Sequence, residues 1–586
     1  MRFLRMLSNA VIAGALASGY LTVIVLQLNP GFPLRPAALV PLAATLGLAY
    51  GVNLALLFYS VIVIRQLFGS EVLSPGWLSV RLLSWLCTAA AAGGAVLMWL
   101  NLRGFGPVLD AETARRMTTG AIAVTAAAIG FFVLALAHVG RRGGRASATV
   151  LVGMMVVSIG LPVMARGTGR LAIEVPDAQV PTLGGPPAPD GPRVVLIMLD
   201  GASLDVIAPA VAAGRLPGFG RIVDGGAVLH LATLRPTQAD PVWSAIATGR
   251  QPMANGVRSS ARYRAQQGGA VIELLPDYCF AQALVSFGFL FEEGHTAESL
   301  RARPIWSILT DLGVAVGVVG WPLTHPAPVV NGFLVSDLFH RLDDGQLDSE
   351  GAMQISPPAL VADIREAMAV SVSPDPLALA TLVTPSPAGD VESRREPEPL
   401  LADRIHLQIR NALDRNGRAR FLAVRFPGVD AVGHHYLRYA NPTPFGDVTD
   451  AERRQLGRVL EQYYAFLDQI VERALIALEP ADLLLVVSAF GMEPLSPGKR
   501  LLERLVGNRA ISGTHERAPD GFLLAYGAAV APGRPSRASV LDVTPTVLYY
   551  LGLPVGRDMD GYARADLFTS SFTGSRPITF IPSYGR

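Results

Sequence analysis

Five long apolar stretches near the amino terminus constrain the fold of this chain more than any other feature of its sequence. Each is close to the length of about 20 helical residues that crosses the hydrocarbon core of a bilayer. None has an Asp, Glu or Lys inside it, and the stretches cover residues 7–28, 37–64, 82–102, 117–139 and 148–164. We therefore predict that residues 1–170 form an α-helical membrane domain with five transmembrane helices.

The overall composition agrees with a part of the chain embedded in lipid. Only 16% of the 586 residues are charged, whereas soluble domains contain about 25% charged residues. A transporter usually keeps ionisable side chains at mid-membrane depth, so their absence from the five stretches favours an anchor. The net charge of +2 gives no nucleic-acid-binding signal, and the lipid bilayer is the first predicted partner. Two cysteines, Cys87 and Cys279, are too few for a Cys-type zinc site.

Arginines between the apolar stretches bear on the orientation of the chain. Cytoplasmic segments of membrane proteins carry an excess of basic residues, and a compact arginine cluster lies at 141–145, between the last two stretches. With that cluster inside, the amino terminus is also inside, and five crossings place the rest of the chain outside the cytoplasm. We predict an integral membrane protein with an extracytoplasmic soluble domain, periplasmic or extracellular.

A change of composition marks the end of the membrane part. The segment VPTLGGPPAPDGP is rich in Pro and Gly, which predicts an extended linker over 171–192. We predict a globular domain over 193–568 and a carboxyl-terminal tail over 569–586. The stretch 342–400, rich in Pro, Asp and Glu, matches no core element and is predicted to be an insertion or cap.

Short apolar strands that alternate with amphipathic helices begin after the linker. The clearest candidates are VVLIMLD, VAVGVVGW, RFLAVRF and DLLLVVS, which end at residues 200, 321, 426 and 488. Continuous apolar strands between helices indicate a largely parallel central sheet that helices cover on both faces. In such sheets ligands bind beyond the carboxyl ends of the strands, so the residues at those ends form the candidate site.

Polar residues with metal-binding chemistry stand near several of these strand ends. Asp200 ends the first strand, and Asp430 and His434 follow RFLAVRF at a spacing of four. This spacing puts both side chains on one face of a helix, where they can reach one cation. His515 lies in the later polar loop SGTHERAPDG. Taken singly, such an aspartate is often a helix cap, and such a histidine is often merely exposed.

Six blocks of sequence, taken in order, resemble the alkaline phosphatase superfamily and, within it, the type I phosphodiesterase/nucleotide pyrophosphatase branch. They are VVLIMLDG, PTQADPVWSAIATGRQPMANGVRS, IWSILTDLGVAVGVVGWPLTHPAPVVNGFLVSD, D-x-x-x-H at 430–434, GTH at 513–515 and LDVTPTVLYYLGLPVGRDMDG. The resemblance covers residues 193–568. It implies an alkaline-phosphatase-like α/β domain that acts on a phosphate ester or a similar anionic substrate.

The resemblance also implies two zinc ions ~4 Å apart that clamp the attacking and leaving oxygens of a phosphoryl group. Asp430, His434 and His515 match the protein ligands of one ion completely. Asp200 matches one ligand of the second ion, but Ala489 and Phe490 stand where an Asp-His pair is expected. We predict one divalent metal, zinc or alternatively manganese, because Asp200 alone cannot hold a second ion against water.

The nucleophile departs from the family pattern as well. The motif P-T-x-T-x-P corresponds to PTQADP, which puts Ala239 at the position of the attacking threonine. Thr237 and Asp240 remain as candidates for a catalytic role. The candidates for binding the substrate phosphate are Arg258, Ser260 and Arg262, and Ser260 stands at the family's asparagine position.

Two functions fit these residues. The retained Asp430, His434 and His515 favour a membrane-anchored, metal-dependent phosphoesterase with one intact metal site, in which water attacks phosphorus directly. The degenerate second site and nucleophile favour a catalytically inactive pseudoenzyme that acts as a binding or scaffold protein at the membrane. A lipid-headgroup or glycan transferase is a third alternative, but a missing nucleophile argues against covalent transfer.

Overall fold

The structure of the chain is a computed structural model that describes most of its residues. The described residues are 1–68, 75–138, 144–167, 191–341, 350–369, 398–416, 419–506, 511–515, 517 and 519–585. Most of the predicted linker and most of the predicted 342–400 insertion lie outside them, as do residues 141–143 of the arginine cluster.

The described strands, in chain order, are short outside one central sheet. They are β1 (Val194–Leu199), β2 (Ala227–Ala232), β3 (Arg262–Arg264), β4 (Val271–Ile272), β5 (Phe291–Glu293), β6 (Val316–Val319), β7 (Gly332–Val335), β8 (Ile355–Ser356), β9 (Phe421–Phe426), β10 (Leu483–Phe490), β11 (Glu493–Pro494), β12 (Gly513–Thr514), β13 (Asp520–Tyr526), β14 (Ala538–Ser539), β15 (Val555–Gly556) and β16 (Phe580–Ile581).

The described α-helices are longest near the amino terminus. They are α1 (Arg2–Leu28), α2 (Pro36–Leu46), α3 (Val52–Phe68), α4 (Val80–Phe105), α5 (Ala111–Ala137), α6 (Arg145–Arg166), α7 (Leu204–Ala212), α8 (Pro217–Gly225), α9 (Ala239–Thr248), α10 (Pro252–Asn255), α11 (Ala281–Ser286), α12 (Ile305–Asp311), α13 (Val361–Ala369), α14 (Glu398–Asn416), α15 (Gly428–Ala440), α16 (Asp450–Leu456), α17 (Val459–Ile476), α18 (Pro497–Val506), α19 (Val543–Tyr550) and α20 (Ser570–Ser575).

The chain divides into two compact units. The first comprises the described residues of Met1–Ile173 and Ala261–Gly294, and the second comprises those of Glu174–Ser260 and His295–Arg586. The predicted domain boundaries stay predictions. The sequence did not predict the grouping of Ala261–Gly294 with the first unit.

Five helical spans among the described residues are long and apolar enough to cross a membrane. Four are the single helices α1, α4, α5 and α6, and the remaining span joins α2 to α3 through a π-helical turn. Local sequence explains where they begin. Pro36 opens α2, where its missing N–H would have no helical partner, and the Asp110 side chain caps α5 by accepting the N–H of Thr113. The predicted multi-span α-helical class is confirmed.

The segment Ala261–Gly294 adds a small sheet to the first unit. Its strands pair antiparallel in the order β4-β3-β5. Apolar side chains from this segment share one buried cluster with side chains of α1 and α2; they are Ile272, Leu284 and Leu290 on one side and Leu26, Leu42 and Leu46 on the other. Burial of these side chains attaches the segment to the apolar helices.

A polar side chain at the end of α1 completes this attachment. The Oδ1 atom of Asn29 accepts the N–H groups of Glu273 and Leu274, each at 2.8 Å, and its Nδ2 donates to the Leu274 carbonyl at 2.7 Å. The side chain is 2% exposed. The Tyr50 hydroxyl of the second span donates to the Cys279 carbonyl. Because β4 ends just before Glu273, these bonds satisfy backbone groups that no strand partner reaches.

Replacing Asn29 by Ala is expected to loosen the segment from the helices. The change removes the acceptor that Asn29 offers to the N–H groups of Glu273 and Leu274. A buried N–H group that loses its acceptor costs about 1–3 kcal/mol. We expect faster amide hydrogen exchange at Glu273 and Leu274, measured by mass spectrometry on the full-length protein. Asn53→Ala is the matched control, because the exposed Asn53 side chain donates to the Ala49 carbonyl of its own helix. Equal exchange in the two variants would contradict the role of Asn29.

A nine-stranded sheet organises the described part of the second unit, in the order β14-β2-β13-β10-β1-β9-β6-β7-β8. The five central strands from β10 to β7 are parallel, whereas β13 and β8 run antiparallel to their neighbours. Alternate residues of β1 face opposite layers, with Val194, Leu196 and Met198 in one core and Val195, Ile197 and Leu199 in the other. This confirms the predicted α/β class with a largely parallel central sheet covered by helices.

The sheet order brings three strand ends to one place. Strand β1 lies between β10 and β9, and Leu199 pairs with Ser488 on one side and with Phe426 on the other. Asp200 therefore stands between the end of β10 and the end of β9. Helix α15 begins two residues after β9. The residues that follow these three strands form the candidate site.

Candidate functional site

Helix α15 carries two of the predicted metal ligands on one face. The spacing of four brings the Oδ2 atom of Asp430 to 3.6 Å from the Nε2 atom of His434. Hydrogen bonds to the buried Asp403 fix the start of the helix. Its carboxylate accepts the N–H of Gly428 at 3.0 Å and the hydroxyl of Tyr463. The carboxylate and the imidazole therefore project from a fixed helix end.

His515 reaches the same point from the loop after β12. That loop is anchored because β12 pairs with β11, which closely follows β10. The Nε2 atom of His515 lies 2.6 Å from the Oδ1 atom of Asp430 and 3.1 Å from the Nε2 atom of His434. One potential ligand atom from each of the three residues lies within 4.8 Å of the other two. The structure thus brings together the three residues that the sequence assigned to one metal.

Backbone carbonyl groups orient both imidazole rings. The Nδ1 atom of His434 lies 2.8 Å from the Gly513 carbonyl oxygen, and that of His515 lies 2.8 Å from the Gly491 carbonyl oxygen. A carbonyl can only accept, so each Nδ1 carries a hydrogen and each neutral ring turns the lone pair of Nε2 inward. Two lone pairs and a carboxylate then converge, which requires a positive charge among them. These donors fit a divalent cation such as zinc.

A proton on His515 competes for this position. Burial lowers the pKa of His515, but the hydrogen bond and the charge of Asp430 outweigh burial and raise this pKa above its usual value. Burial raises the pKa of Asp430, but the bond to His515 outweighs burial and lowers it. Both shifts have the same origin, an ion pair between the two side chains at 2.6 Å.

Zinc affinity is expected to fall as the pH falls. The pKa of His515 lies above the usual value of ~6.5. At pH values below this raised pKa, zinc must displace one proton from His515, so each further drop of one pH unit should lower the zinc affinity about tenfold. The stability of the chelator-treated protein should show the opposite trend. The protonated pair contributes stability that is present below the unfolded pKa of ~6.5 and is lost as the pH rises through the raised folded pKa. Zinc titration and thermal unfolding across this pH range measure the two opposite trends. A zinc affinity that does not change with pH would contradict the ion pair between Asp430 and His515.

Asp200 binds an arginine at the end of β9. Its Oδ2 atom accepts the Nη2–H of Arg425 at 2.5 Å and the Nε–H at 3.0 Å. Among the described residues, the three-membered group of possible ligands consists of Asp430, His434 and His515. A role of Asp200 as a metal ligand stays a prediction.

Gly201 allows the chain to turn next to Asp430. Its φ is +68°, in the left-handed region that favours glycine. A Cβ atom at this position would lie 2.5 Å from the Oδ1 atom of Asp430. Both the backbone conformation and the close approach therefore require glycine.

The region that matches the nucleophile motif folds around Ser260. The Ser260 hydroxyl oxygen accepts the N–H of Asp240 at 3.2 Å, and the Ser260 N–H donates to the Gln238 side chain at 2.8 Å. Ala239 is the first residue of α9. The Thr237 hydroxyl donates to a backbone carbonyl three residues earlier, at 3.0 Å. Asp240 and Ser260 are brought together, and the catalytic and substrate-binding roles of these residues stay predictions.

The two predicted substrate-binding arginines lie in different units. Arg258 is buried in the second unit, with Nη1 at 3.9 Å from the sulfur of Met253. Arg262 begins β3 in the first unit, where it donates to the Gly294 carbonyl at 2.9 Å and lies 3.7 Å from a Glu293 carboxylate oxygen. The Arg262 charge is therefore engaged within the small sheet, and binding of phosphate by either arginine stays a prediction.

Apolar side chains occupy the end of β10. Ala489 and Phe490 are 0% and 2% exposed. The Phe490 ring meets the His515 imidazole edge-on, with ring centroids 4.7 Å apart. Phe490 thus supports the orientation of His515 from the position where the resemblance leads us to expect a ligand of a second metal.

Two charged residues near Asp240 were not predicted from the sequence. They are Arg425, within β9, and Asp337, two residues after β7. Both interact electrostatically with Asp240: burial raises the pKa of Asp240 to about 7, Arg425 opposes this shift, and Asp337 and Asp200 add to it. Arg425 could have been found from the sequence, because it lies inside the otherwise apolar strand RFLAVRF and a charge in such a strand needs a partner.

The part of the chain that carries this site matches a known protein family. A family model described as Type I phosphodiesterase / nucleotide pyrophosphatase matches residues 194–537. Among solved structures, an inactive form of murine ectonucleotide pyrophosphatase / phosphodiesterase 5 in complex with AMP is similar, with 11% sequence identity and a TM-score of 0.37. The similarity covers 64% of this chain and 100% of that chain. A search of curated proteins gave no match. The matched residues 194–537 include all three members of the group of possible metal ligands.

Proposed function

Because the chain belongs to the type I phosphodiesterase/nucleotide pyrophosphatase family, we propose that it is a membrane-anchored phosphoesterase with one divalent metal at Asp430, His434 and His515. The observation that carries the proposal is the convergence of these three side chains within 4.8 Å. Family membership supplies the substrate class, a phosphate ester, and the five apolar spans supply the anchor.

The donor set supports zinc as the metal, with manganese as the alternative. Two imidazoles and one carboxylate suit zinc, and three protein ligands leave a position open, as in catalytic zinc sites. When bound, such an ion polarises a phosphoryl oxygen and lowers the pKa of an attacking water. The carbonyl groups of Gly513 and Gly491 keep His434 and His515 in the tautomer that this task requires.

Direct attack by water is the mechanism that the remaining residues support. Ala239 has no atom that can attack phosphorus, so no covalent intermediate on that residue is proposed. Asp240 follows it, and the pKa of about 7 suits a group that takes a proton from water and returns one to the leaving oxygen. The Ser260 hydroxyl fixes the backbone of Asp240 at the start of α9. Water and the ester thereby become an alcohol and a phosphate with one ester bond fewer.

The location outside the cytoplasm is part of the same proposal. It is supported by five apolar spans and by the arginines of the sequence at 141–145 between the last two spans. The substrate would then be an extracytoplasmic phosphate ester.

A second candidate function is favoured by the apolar end of β10. Ala489 and Phe490 are buried, and Phe490 packs on the ring of His515. A protein that binds one metal through His515 and has lost turnover would be a binding or scaffold protein at the membrane.

Hydrolysis by the full-length protein in detergent separates the two functions. We expect slow, zinc- or manganese-dependent release of nitrophenol from bis(p-nitrophenyl) phosphate or p-nitrophenyl phosphate, and loss of release in Asp430→Asn. Removal of metal by a chelator should have the same effect as that substitution. Metal binding without release of product from either compound would contradict the enzyme and support the binding protein.

A further inference from the structure

A half-buried arginine occupies the side of Asp200 that faces β9. Arg425 pairs with Met198 of β1, so its side chain emerges beside the end of that strand. The side chains of Arg425 and Asp200 are 16% and 4% exposed. The Nε–H and Nη2–H groups of Arg425 both donate to the Oδ2 atom of Asp200. Two hydrogen bonds to one ionised oxygen make this pair a strong and geometrically fixed contact.

The surroundings of Arg425 are acidic. Besides Asp200, the carboxylates of Asp240 and Asp337 stabilise its charge, and together they outweigh the effect of burial, which lowers the pKa of an arginine. The result is a raised pKa, so the guanidinium stays charged at every physiological pH. One cation thus balances part of the negative charge of three carboxylates.

The guanidinium of Arg425 occupies a position where a divalent ion would lack imidazole ligands. Asp200 lies between two strand ends, and the end of β10 offers only the apolar Ala489 and Phe490. A divalent ion beside Asp200 would find carboxylates but no imidazole there, a ligand set that suits manganese better than zinc. A guanidinium binds through hydrogen bonds and does not require a set of coordinating ligands. Asp200 supplies a suitable acceptor.

We infer that the guanidinium of Arg425 is bound to Asp200 in the place of a second divalent ion, between the ends of β9 and β10. The inference rests on the proposed function and deepens it. Asp200 then acts as a positioning residue that holds a guanidinium, and the metal centre formed by Asp430, His434 and His515 stays mononuclear.

The competing interpretation is a salt bridge that serves the fold alone. The chain offers a matched pair for comparison, because Arg193 donates to Asp414 at 2.6 Å with side chains 10% and 18% exposed. This pair lies in the same unit, at the amino end of β1, away from the strand ends of the site. Loss of either arginine breaks a largely buried ion pair, but only the loss of Arg425 should change metal binding.

The first test compares Asp200→Asn with Asp430→Asn in the full-length protein. Zinc per chain is measured by plasma mass spectrometry after dialysis, and zinc affinity by titration. We expect Asp200→Asn to keep one zinc per chain, with an affinity loss below the ~10-fold that an outer-shell partner commonly costs. Asp430→Asn should lose more than ~100-fold. Loss of zinc from Asp200→Asn to the same degree would overturn the inference, because Asp200 would then be a ligand.

The second test removes the guanidinium. Manganese titration should show one equivalent in the wild type, in Arg425→Lys and in Arg193→Met, and a second, weaker equivalent in Arg425→Met. The double variant Arg425→Met/Asp200→Asn should return to one. Two equivalents in the wild type, or one in a folded Arg425→Met, would overturn the inference.

Different outcomes contradict this inference and the proposed function. If Arg425→Met does not fold, as judged by its melting curve, Asp200→Asn decides the question. A wild type that binds no metal would defeat the proposed function itself. One metal in the wild type combined with a zinc-free Asp200→Asn would leave the proposed function standing and defeat the inference alone.

Discussion

Replacing His515 by Ala is expected to abolish stoichiometric zinc binding by the full-length protein. The change removes one of the three proposed ligands and leaves Asp430 and His434, which is fewer than zinc sites require. Loss of an outer-shell partner already costs up to about 100-fold in metal affinity, so loss of a direct ligand should exceed about 100-fold. Hydrolysis of the nitrophenyl esters should vanish with the metal. Metal content per chain and a zinc titration measure the change.

His435→Ala is the matched control for this variant. His435 is the neighbour of His434 on α15, and its side chain is exposed. The control should keep one zinc per chain and the wild-type affinity. Retention of zinc in His515→Ala, or equal losses in the two variants, would refute the metal site that the proposed function depends on.

Gly201→Ala is expected to weaken zinc binding without touching a ligand. The new Cβ atom would meet the Oδ1 atom of Asp430, and the left-handed backbone adds a cost of roughly 1–2 kcal/mol for a residue with a side chain. Asp430 must then move, and we expect zinc affinity to fall by about 10–100-fold, as for other losses of ligand positioning. Zinc titration and thermal unfolding report the two effects separately.

Gly214→Ala supplies the control, because it separates backbone strain from the clash. Gly214 has the same φ of +68°, but a Cβ atom there would find nothing within 4 Å. Both variants should lose a similar amount of unfolding free energy from strain, and only Gly201→Ala should lose zinc affinity. Equal zinc affinities would show that Asp430 tolerates displacement.

Features encoded by local patterns could be predicted from the sequence. Apolar stretches of helical length predicted the five spans, and apolar strands between helices predicted the parallel sheet. The spacing of Asp430 and His434 predicted their shared helix face, and the structure bears this out with a separation of 3.6 Å. His515 joined them through the resemblance of the GTH block, because nothing in its own loop indicates a partner so far away in the chain.

Features that depend on pairing across the fold could not be predicted in this way. Arg425 looks like an interruption of an apolar strand until the register of β1 and β9 puts it beside Asp200. Asp337 and Asp240 lie almost a hundred residues apart and meet only around that guanidinium. Asn29 in turn satisfies backbone groups at Glu273 and Leu274, far along the chain.

The segment Ala261–Gly294 has a practical consequence for any truncated version of this protein. A fragment that starts at the linker would contain this insert without its helical support. Ile272, Leu284 and Leu290 would then face solvent, and the amides of Glu273 and Leu274 would lose their acceptor. Such an exposed apolar patch promotes aggregation. Poor recovery of a fragment that starts at the linker would therefore reflect the loss of these contacts with the helices. A fragment with a short loop in place of residues 261–294 should be more soluble.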